Sequence, residues 1–195
     1  WTSQGEWNWY LGVGGLMGTA SGDVTISGVF NTGNVTGRNV VGGLVGGISF
    51  SNIRNSYMTG SVTGGGTVGG IVGSTYGTHI TSTYSTGNVS GDCSVGGLVG
   101  YNYWSDITNS FSTGIVISRG DVAGGLIGFD DIGTLTNNWW YNGTNSRGVG
   151  NDAAAAGVRK ATSAADFYKP THPVYGMGTA NQWDIFTPTW DTYVN

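Results

Sequence analysis

The stretch Val95-Gly96-Gly97-Leu98-Val99-Gly100 reads VGGLVG, and close copies of it recur along the chain at nearly constant distance. Aligned on the glycine pair, the copies fall at Gly14-Gly15, Gly42-Gly43, Gly69-Gly70, Gly96-Gly97 and Gly124-Gly125, with steps of 28, 27, 27 and 28 residues. Glycine used as flexible linker would be irregularly spaced. A fixed period of this length instead marks a repeat architecture, in which each unit buries its apolar face only by stacking on the next.

Columns follow from the alignment. Val13, Val41, Val68, Val95 and Ala123 precede the glycines, and Leu16, Leu44, Ile71, Leu98 and Leu126 follow them. Further on come Ile26, Ile53, Ile80, Ile107 and Leu135, then an aromatic four residues later: Phe30, Tyr57, Tyr84, Phe111 and Trp139. Val35, Val62, Val89 and Val116 form another column. Glycine density and the Val, Ile, Thr and Tyr content exclude helix. Each repeat therefore reads as about three short strands joined by Gly, Asn, Ser and Thr turns, stacked at about 4.8 Å per coil. Even spacing places Ile53, Asn55 and Tyr57 on one face of an extended segment. The Leu/Ile and aromatic columns are thus expected inside, with Asn55, Asn109 and Asn137 in a partly buried polar ladder. Valine and leucine flank the glycine pair at an odd spacing, which predicts a bend turning both inward. Glycine there would supply unusual backbone angles and let the next coil approach closely.

The expected fold is all-β: a right-handed parallel β-solenoid of about five 27-residue coils over residues 12–138. Residues 1–11 read as an N-terminal cap or docking segment. Residues 139–195 read as a mixed C-terminal cap with an extended tail and one short helix, for which Ser163 and Asp166 have the spacing of a capping box. Of the eight tryptophans only Trp104 lies within 12–138; Trp1, Trp7, Trp9, Trp183 and Trp190 crowd the ends and are expected to cap the stack or join it to another copy.

The VGGLVG core, the following NSYMTGSVTG (55–64) and TSTYSTGNVSG (81–91), and the closing NNWWYNGTNSRGVG (137–150) resemble the GLUG-motif repeats, named for a Gly-Leu-x-Gly core. The resemblance covers residues 12 to about 150. It implies a secreted or cell-surface protein of prokaryotic adhesin type, and marks an architecture and a location rather than a reaction.

Composition narrows the function. Glycine supplies 38 of 195 residues, only three prolines occur, and charged residues are 9%, against roughly 25% in an ordinary soluble domain. Collagen is excluded by the absent three-residue period, and disorder by the 38% hydrophobic and 12% aromatic content. Seven basic residues, nearly all single, give no nucleic-acid footprint. No run approaches the ~18 apolar residues of a membrane span. The chain begins at Trp1 without Met, as expected of a processed protein or a fragment. Cys93 is the only cysteine, so neither an internal disulfide nor a cysteine metal site is expected, and an inert thiol is favoured over an intermolecular bridge.

Chemistry-bearing groups are sparse. His79 sits in a coil turn and His172 between prolines, at no metal or relay spacing. Asp130-Asp131 is the one adjacent acidic pair; it could act with Asp106 on a polysaccharide, yet neighbours on an extended chain point apart. No catalytic residue, metal or cofactor is expected. Asn34, Asn88 and Asn142 open Asn-x-Ser/Thr sequons 54 residues apart, candidates for glycosylation, although Gly-Asn-Val-Thr/Ser is also what the turn asks for. Tyr101, Tyr103 and Trp104 are candidate sugar contacts. Three readings result. The first is a non-enzymatic extracellular structural protein, an adhesin module or a subunit joining head to tail with copies of itself or adjoining modules. The second is a glycan-binding surface; threonine ranks for ice binding are too interrupted. The third, a polysaccharide-cleaving enzyme, rests on the aspartate pair alone.

Overall fold

The computed structural model describes residues 12–120, 122–141, 145, 147–169 and 172–175. The named strands stack in parallel on their counterparts one repeat away, giving a β-solenoid of about five coils with four sheets along its axis, one more than the sequence pattern predicts. The first sheet contains Gly12–Gly14, Val40–Gly42, Thr67–Gly69, Ser94–Gly96 and Val122–Gly124. The second contains Met17–Ser21, Val45–Ser49, Val72–Tyr76, Val99–Tyr103 and Ile127–Asp131. The long strands Asn52–Met58 and His79–Ser85 centre the third, and the fourth runs from Val35–Thr36 through Val62–Thr63 and Val89–Gly91 to Val116–Ser118.

Register is column on column: Val41 pairs with Val68 and Val13, Ile80 with Ile53 and Ile107, Val89 with Val62 and Val116. Apart from Val13, which is exposed on the first coil, these side chains form one continuous core, and Val41, Ile53, Val68, Ile80 and Ile107 are wholly buried. Each such burial contributes about 1.5–3 kcal/mol, and no single coil could achieve it alone.

At the glycine pair the chain bends from the first sheet into the second, and Val68, Ile71 and Val72 all turn inward. The reason for glycine is narrower than expected. None of the paired glycines has a positive φ; among the described residues those are Gly22, Gly28, Gly77 and Gly157. Space is what decides. A Cβ on Gly69 would overlap the Val72 carbonyl and lie 2.6 Å from the Gly100 nitrogen of the next coil. One on Gly70 would overlap the Gly97 carbonyl and lie 2.7 Å from Ser85 Cβ. The first and second sheets therefore meet backbone to backbone at this corner.

The aromatic column is a correction. A residue with left-handed backbone interrupts the third sheet at one station of every coil: Gly28 (φ 66°), Asn55 (50°), Ser82 (53°), Asn109 (50°) and Asn137 (51°). That residue shifts the alternation by one, so Ile53, Ser56 and Met58 face in while Tyr57 faces out. The rings stack on the outside of the third sheet, Phe30 on Tyr57 (5.1 Å), Tyr57 on Tyr84 (4.9 Å) and Tyr84 on Phe111 (5.0 Å), nearly parallel. Burial, then the neighbouring Tyr57, pushes the Tyr84 hydroxyl up to about 12. The asparagine ladder forms only in part: Asn137 Nδ2 donates to Asn109 Oδ1 at 2.7 Å, but Asn55 is exposed and separated from them by the Ser82 coil.

Stacking continues past residue 138. Val149 bridges Ile127, and Val158–Lys160 pairs with Asn138–Trp140, adding a partial sixth rung to the second and third sheets. Ser163 and Asp166 do form a capping box, on the 3-10 helix Ala164–Tyr168. The Lys169 ammonium and the Thr162 hydroxyl on its carboxylate hold Asp166 down to about 2. The helix sets Phe167 on Phe111 at 4.5 Å, and His172 meets Trp139 edge-on at 4.6 Å, so this segment covers the upper end of the ring ladder.

Candidate functional site

Residues at alternate positions of the second sheet point outward, and two of its columns change character along the axis. Thr19, Gly47, Ser74, Tyr101 and Phe129 share one station; Ser21, Ser49, Tyr76, Tyr103 and Asp131 share the next. Small residues thus give way to rings, after three coils at the first station and after two at the second. Tyr76 stacks on Tyr103 and Tyr101 on Phe129, both pairs at 5.3 Å. The result is a groove of about 670 Å³: a floor of sheet bearing Thr19, Ser21, Gly47 and Ser49, and a wall of Tyr76, Tyr101 and Tyr103, with Asp131 beyond. Burial, then the Asp131 carboxylate, raises the Tyr101 hydroxyl, which is hydrogen-bonded to Asp131.

Trp104 lies at the corner between the second and third sheets. The same corner carries Asp23, Phe50, Gly77 and Ile132 in the other coils, and all five residues have positive φ between 47° and 62°. Aspartate and glycine suit that backbone, whereas bulky and β-branched residues do not. Phe50 (52% exposed), Trp104 (58%) and Ile132 (68%) occupy it without entering the core. Phe50 meets Tyr76 edge-on at 4.7 Å, Trp104 lies 6.1 Å from Tyr76, and the Phe50 ring lies against the bare Gly77.

Tyr101, Tyr103 and Trp104 therefore occupy one side of the molecule. Tyr76, Phe50 and the bare floor, which the sequence reading does not single out, complete the surface. The signal was present in the alignment, since a column running Ser, Ser, Tyr, Tyr, Asp breaks the sameness of its neighbours, but only the register of the sheet reveals that it faces out.

The aspartates do not converge. Asp130 turns inward, ending a ladder in which Thr75 Oγ1 donates to Asn102 Oδ1 (2.6 Å) and Asn102 Nδ2 donates to Asp130 Oδ1 (2.5 Å). Burial raises the Asp130 carboxyl above its ordinary range, against the opposing pull of Asn102 and the Gly133 backbone. Asp131 faces the tyrosines outside. Asp106 is on the third sheet, paired with His79 Nδ1 at 3.0 Å on the coil below. His172 is buried against Trp139 and Phe167, and burial lowers its pKa.

Asn34 and Asn88 are exposed, and each side-chain oxygen accepts a backbone N–H from the next coil, Ser61 at 2.9 Å and Ile115 at 3.0 Å. The two sequons thus sit at a turn that uses asparagine to tie coil to coil. Cys93 is exposed with a free thiol. Trp1, Trp7, Trp9, Asn142, Trp183 and Trp190 lie outside the described residues. No helix among the described residues is long and apolar enough to cross a membrane.

The GLUG motif family matches the chain at residues 37–63 and 91–118. Each match takes in one coil, the second and the fourth, from the turn before its first-sheet strand to the end of its fourth-sheet strand. The coils around them pair with these two residue for residue. No curated protein matches the chain.

Proposed function

We propose that the chain is a non-enzymatic structural module of an extracellular or cell-surface protein, of adhesin type, whose partners are copies of itself joined head to tail or adjoining modules. One observation carries the reading: the same side-chain stations repeat in parallel register from Gly12 to Trp140, so the sequence is spent on building a stiff, periodic rod. Low charge and the two GLUG matches support a surface role. The non-enzymatic part rests on Asp130 and Asp131 facing opposite sides of one strand, Asp130 already committed to the interior ladder.

Head-to-tail joining draws on the geometry of a solenoid, whose two ends are complementary and make a heterologous, open-ended contact. Electron microscopy and sedimentation of the full chain test it: fibres or concentration-dependent oligomers are expected, with Trp7→Ala/Trp9→Ala yielding folded monomers. A protein that stays monomeric at high concentration refutes self-assembly and leaves a single module. Polysaccharide turnover abolished by Asp130→Asn/Asp131→Asn refutes the non-enzymatic reading.

A further inference from the structure

We propose that the groove on the outer face of the second sheet is a binding site for a neutral oligosaccharide, held across the first three coils with its pyranose rings against the tyrosine wall. This holds whether or not the chain assembles, because every residue involved belongs to one copy.

Shape comes first. A volume of about 670 Å³ lies within the range of roughly 300–1,000 Å³ of small-molecule sites. The depression exists because the ring columns stop abruptly: Tyr103 and Tyr76 share a station with Ser49 and Ser21, and Tyr101 shares one with Ser74, Gly47 and Thr19. Two coils of bare sheet leave a floor about 10 Å wide at the usual strand spacing, room for a sugar ring lying beside the wall.

The lining selects the ligand. Tyrosine combines a broad apolar ring with a hydroxyl that both donates and accepts, which matches a pyranose, apolar on its C–H faces and polar around its rim. Thr19, Ser21 and Ser49 line the floor with further hydroxyls. Ser49 Oγ donates to Ser21 Oγ at 2.9 Å; a wholly apolar ligand would strip water from the hydroxyl valences that such pairing leaves over, at about 1–3 kcal/mol for each group left unsatisfied. An acidic glycan or nucleic acid would meet Asp131, with no Lys or Arg among the described lining residues to compensate.

Backbone strain supplies a second, independent observation. At the bordering corner, left-handed backbone is occupied by Phe50, Trp104 and Ile132, all exposed, where Asp23 and Gly77 fill the same station at less cost. Strain of about 1–3 kcal/mol per residue persists where the surroundings or a function require it. The core does not require these side chains, since they lie outside it. Phe50 and Trp104 extend the Tyr76 wall by one more station, forming the rim along which an oligosaccharide would run.

The test is calorimetric titration of the full chain with hexasaccharides of β-1,4-glucose, β-1,4-N-acetylglucosamine, β-1,4-mannose and α-1,4-glucose, beside an oligogalacturonate as the charged counterpart. At least one neutral hexasaccharide is expected to bind, with the oligogalacturonate at least tenfold weaker. Tyr76→Ala should weaken binding at least tenfold. Ser49→Tyr should abolish it by extending the ring column into the groove, and it preserves the fold because the station already carries tyrosine in the next two coils. Gly47→Phe, at a station that carries Tyr101 and Phe129, is a second block of the same kind. Three results overturn the proposal: no neutral hexasaccharide bound at millimolar concentration, affinity unchanged in the folded Ser49→Tyr and Gly47→Phe variants, or oligogalacturonate bound as tightly as the neutral sugars.

Discussion

Replacing Gly70 by alanine isolates what the repeated glycine pair does. The added Cβ would overlap the Gly97 carbonyl oxygen of the next coil and sit 2.7 Å from Ser85 Cβ, well inside ordinary carbon contact. Neither obstacle is the end of a flexible chain, so relief requires the coils to separate locally by roughly an ångström, straining contacts of a close-packed interior. The backbone bonds crossing that gap are Gly70 N–H to the Gly96 carbonyl (3.3 Å), Ile71 N–H to Leu98 (2.8 Å) and Val72 N–H to Leu98 (3.2 Å). Losing two or three of them, at about 0.5–1.5 kcal/mol each, gives an expected destabilisation of about 1–4.5 kcal/mol. Two controls separate space from backbone freedom. Gly28 has φ 66° and open space for 4 Å around the point where a Cβ would stand, and its station holds asparagine in three other coils, so Gly28→Asn should cost well under 1 kcal/mol. Gly33, with ordinary φ and only the Asn31 side chain at 3.3 Å, should accept alanine with little change or a gain of about 0.5 kcal/mol. Urea unfolding followed by circular dichroism gives all three. A Gly70→Ala protein within 0.5 kcal/mol of wild type, or one less affected than Gly28→Asn, would refute the argument from close approach.

Ile53→Ala is expected to cost about 2–5 kcal/mol as a core truncation, and Tyr57→Ala only about 1–3, from two outward stacking partners at about 0.5–1.5 each; the reverse order in urea unfolding would place the ring column inside after all. The two perturbed carboxyls act oppositely on stability. Asp166, held down to about 2, stabilises the fold above its ordinary 3.8 and loses that contribution as pH falls through about 2. Asp130, raised above 3.8, binds its proton more tightly folded than unfolded, so its ionisation takes stability away as pH climbs past 3.8. Carboxyl carbon NMR titration reads both, and an Asp130 midpoint at or below 3.8 contradicts its burial.

The period and its columns carried the architecture, because in a stacked repeat each station meets its own kind and the alignment is already a contact list. Ile53 above Ile26 and below Ile80 needed no structure to place. Tyr57 was different. Even spacing from Ile53 presumes an unbroken strand, and Asn55 at φ 50° breaks it. The sequence did hold the clue, since glycine and asparagine, the residues that tolerate left-handed backbone, fill four of the five positions at that station, with Ser82 the exception. The groove was half legible. Tyr101, Tyr103 and Trp104 stand out as a cluster, but Gly47 and Ser49 become a floor only once the sheet shows that they lie beside Tyr76 on the outer face.

A stack of near-identical coils faces a hazard that unique folds do not: a unit could dock one place out of order and still match valine to valine. The inward column Ala20, Ile48, Thr75, Asn102, Asp130 works against this, because it grades from apolar to charged along the axis. Thr75, Asn102 and Asp130 satisfy one another only in their native sequence. Skip the Thr75 coil, and the Asn102 amide would lie against the Ile48 side chain, with a buried polar group unmet at about 1–3 kcal/mol. The ladder thereby numbers the coils, and gives a periodic molecule a single stacking order.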